Sequence, residues 1–301
     1  MKNEEKRNEL YNLLGELPLR EREVKSEIIN ISECKDYILE KLILDLNGIE
    51  PVPAYFVRPK AVCGRAPVIL FSHSHGGNYK LGKDELIQGS EFLIKPSYAE
   101  ALTASGYAAI CIDAWAFGER RGRTETELFK EMLWEGRVMW GMMVYDSLKV
   151  LDYLEQRYDV DNERIGAMGI SMGGTMSWWV AALNPKVKVC ADLCSLTDYN
   201  SLITQRRLDY HSFYYYVPGL LKKFSTAQIN SLIAPRAHLS LAGIYDLLTP
   251  PEGLERVNCE LEKAYLSFNA CGRWRLIRYP AGHYENTSMR KEVLEFFSRW
   301  L

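Results

Sequence analysis

The 301-residue sequence predicts an α/β protein. Its expected core is a mostly parallel, twisted sheet with helices on both faces, led by an antiparallel hairpin and interrupted by one aromatic-rich insertion. Three observations predict this. Short apolar runs at 68–71, 107–112, 165–170 and 187–191 have the length and composition of strands buried on both faces. Segments with helical periodicity alternate with them, which implies right-handed crossovers between parallel strands. Asn47-Gly48, set between two extended runs, is a strong hairpin turn.

Taken in order, residues 1–35 are charged and read as an N-terminal helical segment, broken near Leu17-Pro18. The main domain then runs over 36–301. Residues 37–46 alternate as a strand, and the return at 52–57 is flanked or entered by Pro51, Pro53 and Pro59, which predicts an edge position. Residues 125–157 read as helix, with Val144, Leu148, Leu151 and Leu154 at spacings of three and four. A Trp- and Ala-rich helix over 175–183 stops near Asn184-Pro185. Further strands begin at Ala237 and Trp274. Between them and the strand at 187–191 lies a cap-like insertion at about 196–234, containing Tyr210, Phe213, Tyr214, Tyr215 and Tyr216. Long insertions in such sheets commonly wall the site.

Composition narrows the function. A formal net charge of −2 favours neither nucleic acid nor an anionic membrane as partner, and no stretch approaches 18 uninterrupted apolar residues. Seven cysteines without a CxxC pair fit reduced thiols, and the charged N-terminus has no apolar core behind it. A cytoplasmic protein is expected; a homo-oligomer is left open.

The chemistry centres on Gly169-Ile170-Ser171-Met172-Gly173, a G-x-S-x-G between the strand at 165–170 and the following helix. A serine hydroxyl needs a base and an orienting carboxylate, and in this architecture the chain order is Ser, acid, His. Of five histidines only His211, His238 and His283 follow Ser171. His283 stands in a turn just after the last strand, where ligands collect in open α/β sheets, and is the chosen base. Asp246 leaves the preceding strand and is the chosen acid; Asp192 and Asp198 are the alternatives. The oxyanion donors are assigned to the N–H groups of Met172, after the nucleophile, and of Gly77, in His75-Gly76-Gly77 after the first buried strand. His73 and His75 suggest a metal pair by spacing, but an HxHxDH site needs Asp and His where this chain has Gly77 and Asn78. Hydrogen bonding that shapes the loop is the role expected of both. No metal or other cofactor is expected. Trp115, Phe117, Tyr214 and Tyr215 are candidate pocket walls, and Glu119, Arg120 and Arg121 read as an internal ion-pair group.

Taken together, the HGG loop, the G-x-S-x-G, the Asp and the Gly-His resemble the α/β-hydrolase superfamily. The finer resemblance is to its dienelactone hydrolase-like and acetyl xylan esterase-like bacterial branch. It is carried by His73-Ser74-His75-Gly76-Gly77 with Leu81-Gly82-Lys83, by 113–121, by Gly169–Gly174 and by Ile233-Ala234-Pro235-Arg236. The resemblance covers about residue 40 to the C-terminus. It implies hydrolysis of a small-molecule ester through an acyl-enzyme, without a cofactor. Dienelactone hydrolase itself uses cysteine where this chain has Ser171, which favours a carboxylesterase. The competing readings are a serine peptidase of the prolyl-oligopeptidase type and a noncatalytic binding protein on the same scaffold.

Overall fold

A computed structural model describes residues 2–61 and 64–301. Its strands are β1 (Lys25–Glu33), β2 (Tyr37–Asp45), β3 (Val52–Pro59), β4 (Ala66–Ser72), β5 (Ala108–Ile112), β6 (Val160–Ile170), β7 (Val187–Leu193), β8 (Ala237–Gly243) and β9 (Trp274–Tyr279). Its helices are α1 (Lys2–Asn12), α2 (Glu85–Gln88), α3 (Tyr98–Ala104), α4 (Glu125–Trp134), α5 (Met139–Gln156), α6 (Met172–Leu183), α7 (Tyr199–Thr204), α8 (Thr226–Ser231), α9 (Pro251–Ser267) and α10 (Thr287–Trp300). The nine strands form one sheet in the order β1-β2-β3-β5-β4-β6-β7-β8-β9. The first three strands and the β3–β5 pair are antiparallel, and every pair from β5 to β9 is parallel.

Strand residues alternate between the two faces, as the pleat requires. Val68 and Leu70 of β4 join a cluster with Trp140, Met143, Trp178 and Val180 from α5 and α6. Ile69 and Phe71 face the other way, onto Tyr98 and Leu102 of α3 and Val293 and Phe297 of α10. This double coverage leaves one end of the sheet, at the carboxyl ends of β4 to β9, to carry the loops that hold the polar residues.

Three expectations are corrected. The N-terminal segment is helical only over α1; residues 25–33 form the edge strand β1, paired antiparallel with β2. Almost every β1 side chain is exposed, so no buried face imposes a period on its sequence. The proline-containing return strand β3 is internal. Its pairing with β5 spans only Ala54 to Val57, so Pro53 and Pro59 lie outside that ladder and remove no hydrogen bond from it. The single helix expected over 125–157 is two, α4 and α5, separated by a turn at Gly136, whose φ of 76° ends the first.

Lys83 and Arg120 fasten the loops behind the site. The Asp113 carboxylate accepts from Lys83 N (2.8 Å), Lys83 Nζ (2.9 Å) and Glu119 N (3.0 Å). Gly118 is required here, because a Cβ on it would stand 2.0 Å from Asp113 Oδ1. Arg120 reaches Asp146 (2.9 Å) and Glu50 (2.6 Å) with its guanidinium over the Trp115 ring, and Glu119 meets Lys83, so these two belong to an internal ion-pair network, whereas Arg121 is exposed and donates to Gly118 O. Among the described residues, no helix is long and apolar enough to cross a membrane.

Candidate active site

Ser171 occupies the one-residue bend between β6 and α6 with φ 57° and ψ −122°, a conformation that costs a non-glycine residue of order 1–3 kcal/mol. Surrounding contacts hold it there. Ser171 N–H donates to Leu193 O (2.9 Å), and Ser171 O accepts from Thr175 N (2.9 Å). The elbow is pressed so closely on the end of β4 that a Cβ on Gly173 would lie 1.9 Å from Ser72 O. Met172 opens α6, so its N–H is among those with no carbonyl one turn back, and the positive end of the helix dipole faces the serine.

The candidate acid and base come from the loops after β8 and β9. His283 Nδ1 and Asp246 Oδ2 are 2.8 Å apart, which puts the proton on Nδ1 and leaves Nε2 as the acceptor. Asp246 Oδ1 accepts from Leu248 N (2.9 Å), so both carboxylate oxygens are engaged. Asp246 is buried and His283 about one-fifth exposed. The two loops are sewn together by Ile244 N to Tyr279 O (2.8 Å) and Tyr245 N to Ala281 O (3.0 Å). The elbow joins this pair through the next rung: Leu193 O holds Ser171, while Cys194 N donates to Leu241 O (2.7 Å). Ser171 Oγ and His283 are not hydrogen-bonded to each other in this structure, an arrangement common before substrate binds.

The alternative residues have other partners. Asp192 Oδ2 lies 2.8 Å from His238 Nε2, with both side chains fully buried, and Asp192 Oδ1 also accepts from Ser195 and Ser240. Asp198 caps α7 and meets Arg256. Cys194, Asp246 and His283 bring one ligand atom each within 4.8 Å of one another. Burial above all, then the Asp246 charge, pushes the Cys194 thiol up to about 12, so the free thiol is protonated at neutral pH.

Neither imidazole before the elbow offers a free pair of nitrogens. His73 Nδ1 meets Ser74 O (2.8 Å) and its Nε2 accepts from Ala114 N (3.1 Å). His75 Nε2 meets Glu125 Oε2 (2.8 Å), and its Nδ1 accepts the Gly77 N–H (3.1 Å). The Gly77 N–H expected at the oxyanion is therefore turned, in this structure, toward its own loop.

The expected pocket walls separate into two kinds. Trp115 and Phe117 are buried in the layer beneath the loop, Trp115 under Arg120 and Phe117 against His73, His75 and Tyr79. They support the site rather than line it, because short connections draw these large rings into the core. Tyr214 stacks on His75 at 5.5 Å, which brings the insertion onto the loop after β4, while Tyr215 stacks on His211 at 4.8 Å within the insertion itself. Tyr215 also walls an apolar cavity of about 150 Å³ with Leu202, Leu208, Val217 and Leu220.

The sequence assigns no site role to three residues that the structure places here. His211 is kept below its usual range chiefly by burial, with the neighbouring His283 lowering it further while a Leu248 backbone bond and Asp246 oppose. Glu285, two residues past the base, receives Arg290 (2.7 Å), Tyr98 and Ile94 N (3.1 Å), locking the histidine loop to α3 and α10. Glu125 is described below. The partners of Glu125, and Tyr98 and Ile94 for Glu285, lie far along the chain; His211, as one of three histidines after the serine, was visible beforehand.

Comparison with known proteins agrees with this geometry. The X-Pro dipeptidyl-peptidase (S15) family matches residues 51–234, a span that holds the HGG loop and the elbow and stops before Asp246 and His283. Over 297 residues, 99% of each chain, the sequence is 52% identical to the "Putative hydrolase YtaP" of Bacillus subtilis (strain 168). Among solved structures, a glucuronoyl esterase from Solibacter usitatus superposes with TM-score 0.71 at 16% identity, over 97% of this chain and 91% of that one. An acetyl xylan esterase from Paenibacillus sp. R4 does so with TM-score 0.69 at 18% identity, over 99% and 93%. At these identities the likeness speaks for the fold.

Proposed function

The chain belongs to the X-Pro dipeptidyl-peptidase (S15) family, and from that premise we propose that it is a serine hydrolase cleaving carboxylic esters of small molecules through an acyl-enzyme. The observation that carries the proposal is Ser171 held at φ 57° on the elbow at the head of α6. The Asp246–His283 pair supports it. The two esterase structures of the same fold support esters over amides, and the six free cysteines among the described residues support a reducing, cytoplasmic setting.

In this reading Ser171 Oγ attacks the ester carbonyl carbon while His283 Nε2 takes its proton. Asp246 keeps the imidazole tautomer and stabilises the imidazolium. The oxyanion is met by the N–H of Met172 and by a second N–H of the His75-Gly76-Gly77 loop, whose shape the Gly77–His75 bond holds, each worth roughly 3 kcal/mol. Collapse breaks the ester C–O bond, and His283 returns the proton to the departing alcohol. Water then attacks the acyl-enzyme by the same route, releasing the acid and restoring Ser171. In this reading the apolar cavity beside Tyr215, lined wholly by the insertion, takes an apolar acyl or alcohol substituent.

A second reading, favoured by the family match alone, is removal of X-Pro dipeptides from peptides. Hydrolysis of 4-nitrophenyl esters from acetate to octanoate, set beside an X-Pro 4-nitroanilide, decides between them. Wild type and Ser171→Ala are compared, with EDTA as a control. Ester turnover that vanishes in the variant and ignores EDTA is expected. Anilide turnover exceeding that of every ester would replace the esterase reading with the peptidase one.

A further inference from the structure

Glu125 stands at the first position of α4, far in sequence from the triad, yet its carboxylate joins two parts of the site. Oε1 accepts from Ser212 Oγ and Tyr214 N (3.0 Å), both in the insertion. Oε2 accepts from Tyr79 OH (2.7 Å) and His75 Nε2 (2.8 Å), both in the loop after β4. The residue is 3% exposed, so all four lone-pair directions of the buried carboxylate are filled. Burial pushes the carboxyl up, but the bonds from His75, Ser212 and Tyr79 outweigh it and hold it at about 2.

We propose that Glu125 is a positioning residue that fixes the His75 tautomer and, through it, the direction of the Gly77 N–H, so that insertion and oxyanion loop are set as one unit. The proposal rests on the serine-hydrolase reading. An ionised carboxylate only accepts, so the His75 nitrogen facing it carries the proton. Nδ1 is then left with a lone pair, and the Gly77 N–H, which can only donate, lies 3.1 Å from it. Gly76 and Gly77 have φ of 51° and 68°, in a turn closed by Asn78 N–H to His75 O (3.1 Å), and the Gly77–His75 ring bond is the side-chain contact that orients their peptide. The His75 ring is held in place by Tyr214 stacked at 5.5 Å, Tyr79 edge-on at 5.1 Å and Phe117 at 5.2 Å.

The chemistry singles out Glu125→Gln. Tyr214 N can only donate, so the amide oxygen must stay on the Oε1 side and the NH2 must face His75. His75 then has to present a lone pair at Nε2 and carry its proton at Nδ1, directly against the Gly77 N–H. The expected result is a fall in kcat of about 10- to 100-fold, up to what one oxyanion donor is worth, with KM within about threefold. Ser212→Ala, which removes one donor and leaves the tautomer alone, should keep kcat within about threefold. Nitrogen-15 NMR of the histidines reads the tautomer independently of activity: the lone-pair signature of His75 should move from Nδ1 to Nε2 in Glu125→Gln. An unmoved tautomer, or a moved one with unchanged kcat, would overturn the proposal. An equal kcat loss in Ser212→Ala would do so as well, because that marks a merely structural role. A wild type without Ser171-dependent ester turnover would instead sink the esterase reading, with the NMR still deciding the Glu125–His75 link.

Discussion

Asp246 Oδ2 lies 2.8 Å from His283 Nδ1, and the same carboxylate is braced from its other side by Leu248 N–H. The imidazole is thereby fixed with Nε2 free to accept a proton. Asp246→Asn keeps the shape but can donate to Nδ1, which favours the wrong tautomer. On the serine-protease precedent kcat should drop by about 10⁴ with the fold intact. Steady-state kinetics on a 4-nitrophenyl ester, with circular dichroism as the folding control, checks this.

Arg120 and Asp146 form an ion pair at 2.9 Å with both side chains almost wholly buried. Removing one partner strands the other's charge in the core. Arg120→Met should therefore destabilise by about 3–5 kcal/mol, visible as a lower urea midpoint with unchanged slope. Arg120→Met with Asp146→Leu should recover much of that loss. A single variant as stable as the wild type would remove the network from the account of the fold.

Glu125 has its carboxyl held at about 2 against an ordinary 4.5. A depressed acid contributes stability that is present above its unfolded pKa and lost as pH falls through its folded one. The shift corresponds to about 3 kcal/mol at neutral pH, as an order of magnitude. The stability difference between wild type and Glu125→Gln should hold from pH 7 to about 5, then shrink progressively toward pH 2. Urea unfolding at stepped pH measures it; a difference independent of pH would contradict the ionised, four-bond carboxylate.

Leu208 borders the apolar cavity walled by Tyr215 and is partly exposed, so a larger side chain there fills space without crowding the core. Leu208→Trp should cut kcat/KM for octanoate by about tenfold or more and leave acetate within about twofold. Uniform loss across chain lengths would detach the cavity from substrate binding.

What the sequence displayed was what local constraint writes into it. The elbow was legible because a strand, a strained bend and a crowded helix start each demand particular residues within five positions. His283 was legible because few histidines follow Ser171 and only one stands in a turn after the last strand. The edge strand β1 was misread because exposed strands carry no burial pattern, and β3 because prolines beside a short ladder look like prolines inside one. Glu125 and Glu285 were invisible for a different reason. Glu125 receives donors 46 to 89 positions away, and Glu285 one from Tyr98, 187 away, separations that no local pattern encodes.

The central claim is that Ser171 is a nucleophile activated by His283, and covalent capture tests it most directly. Wild type, Ser171→Ala and His283→Ala would be incubated with a fluorophosphonate and read by intact mass and peptide mapping. One phosphonyl group on Ser171 of the wild type, none on Ser171→Ala and greatly slowed labelling of His283→Ala is the result expected. An unlabelled wild type, or a label on another residue, would contradict the assignment.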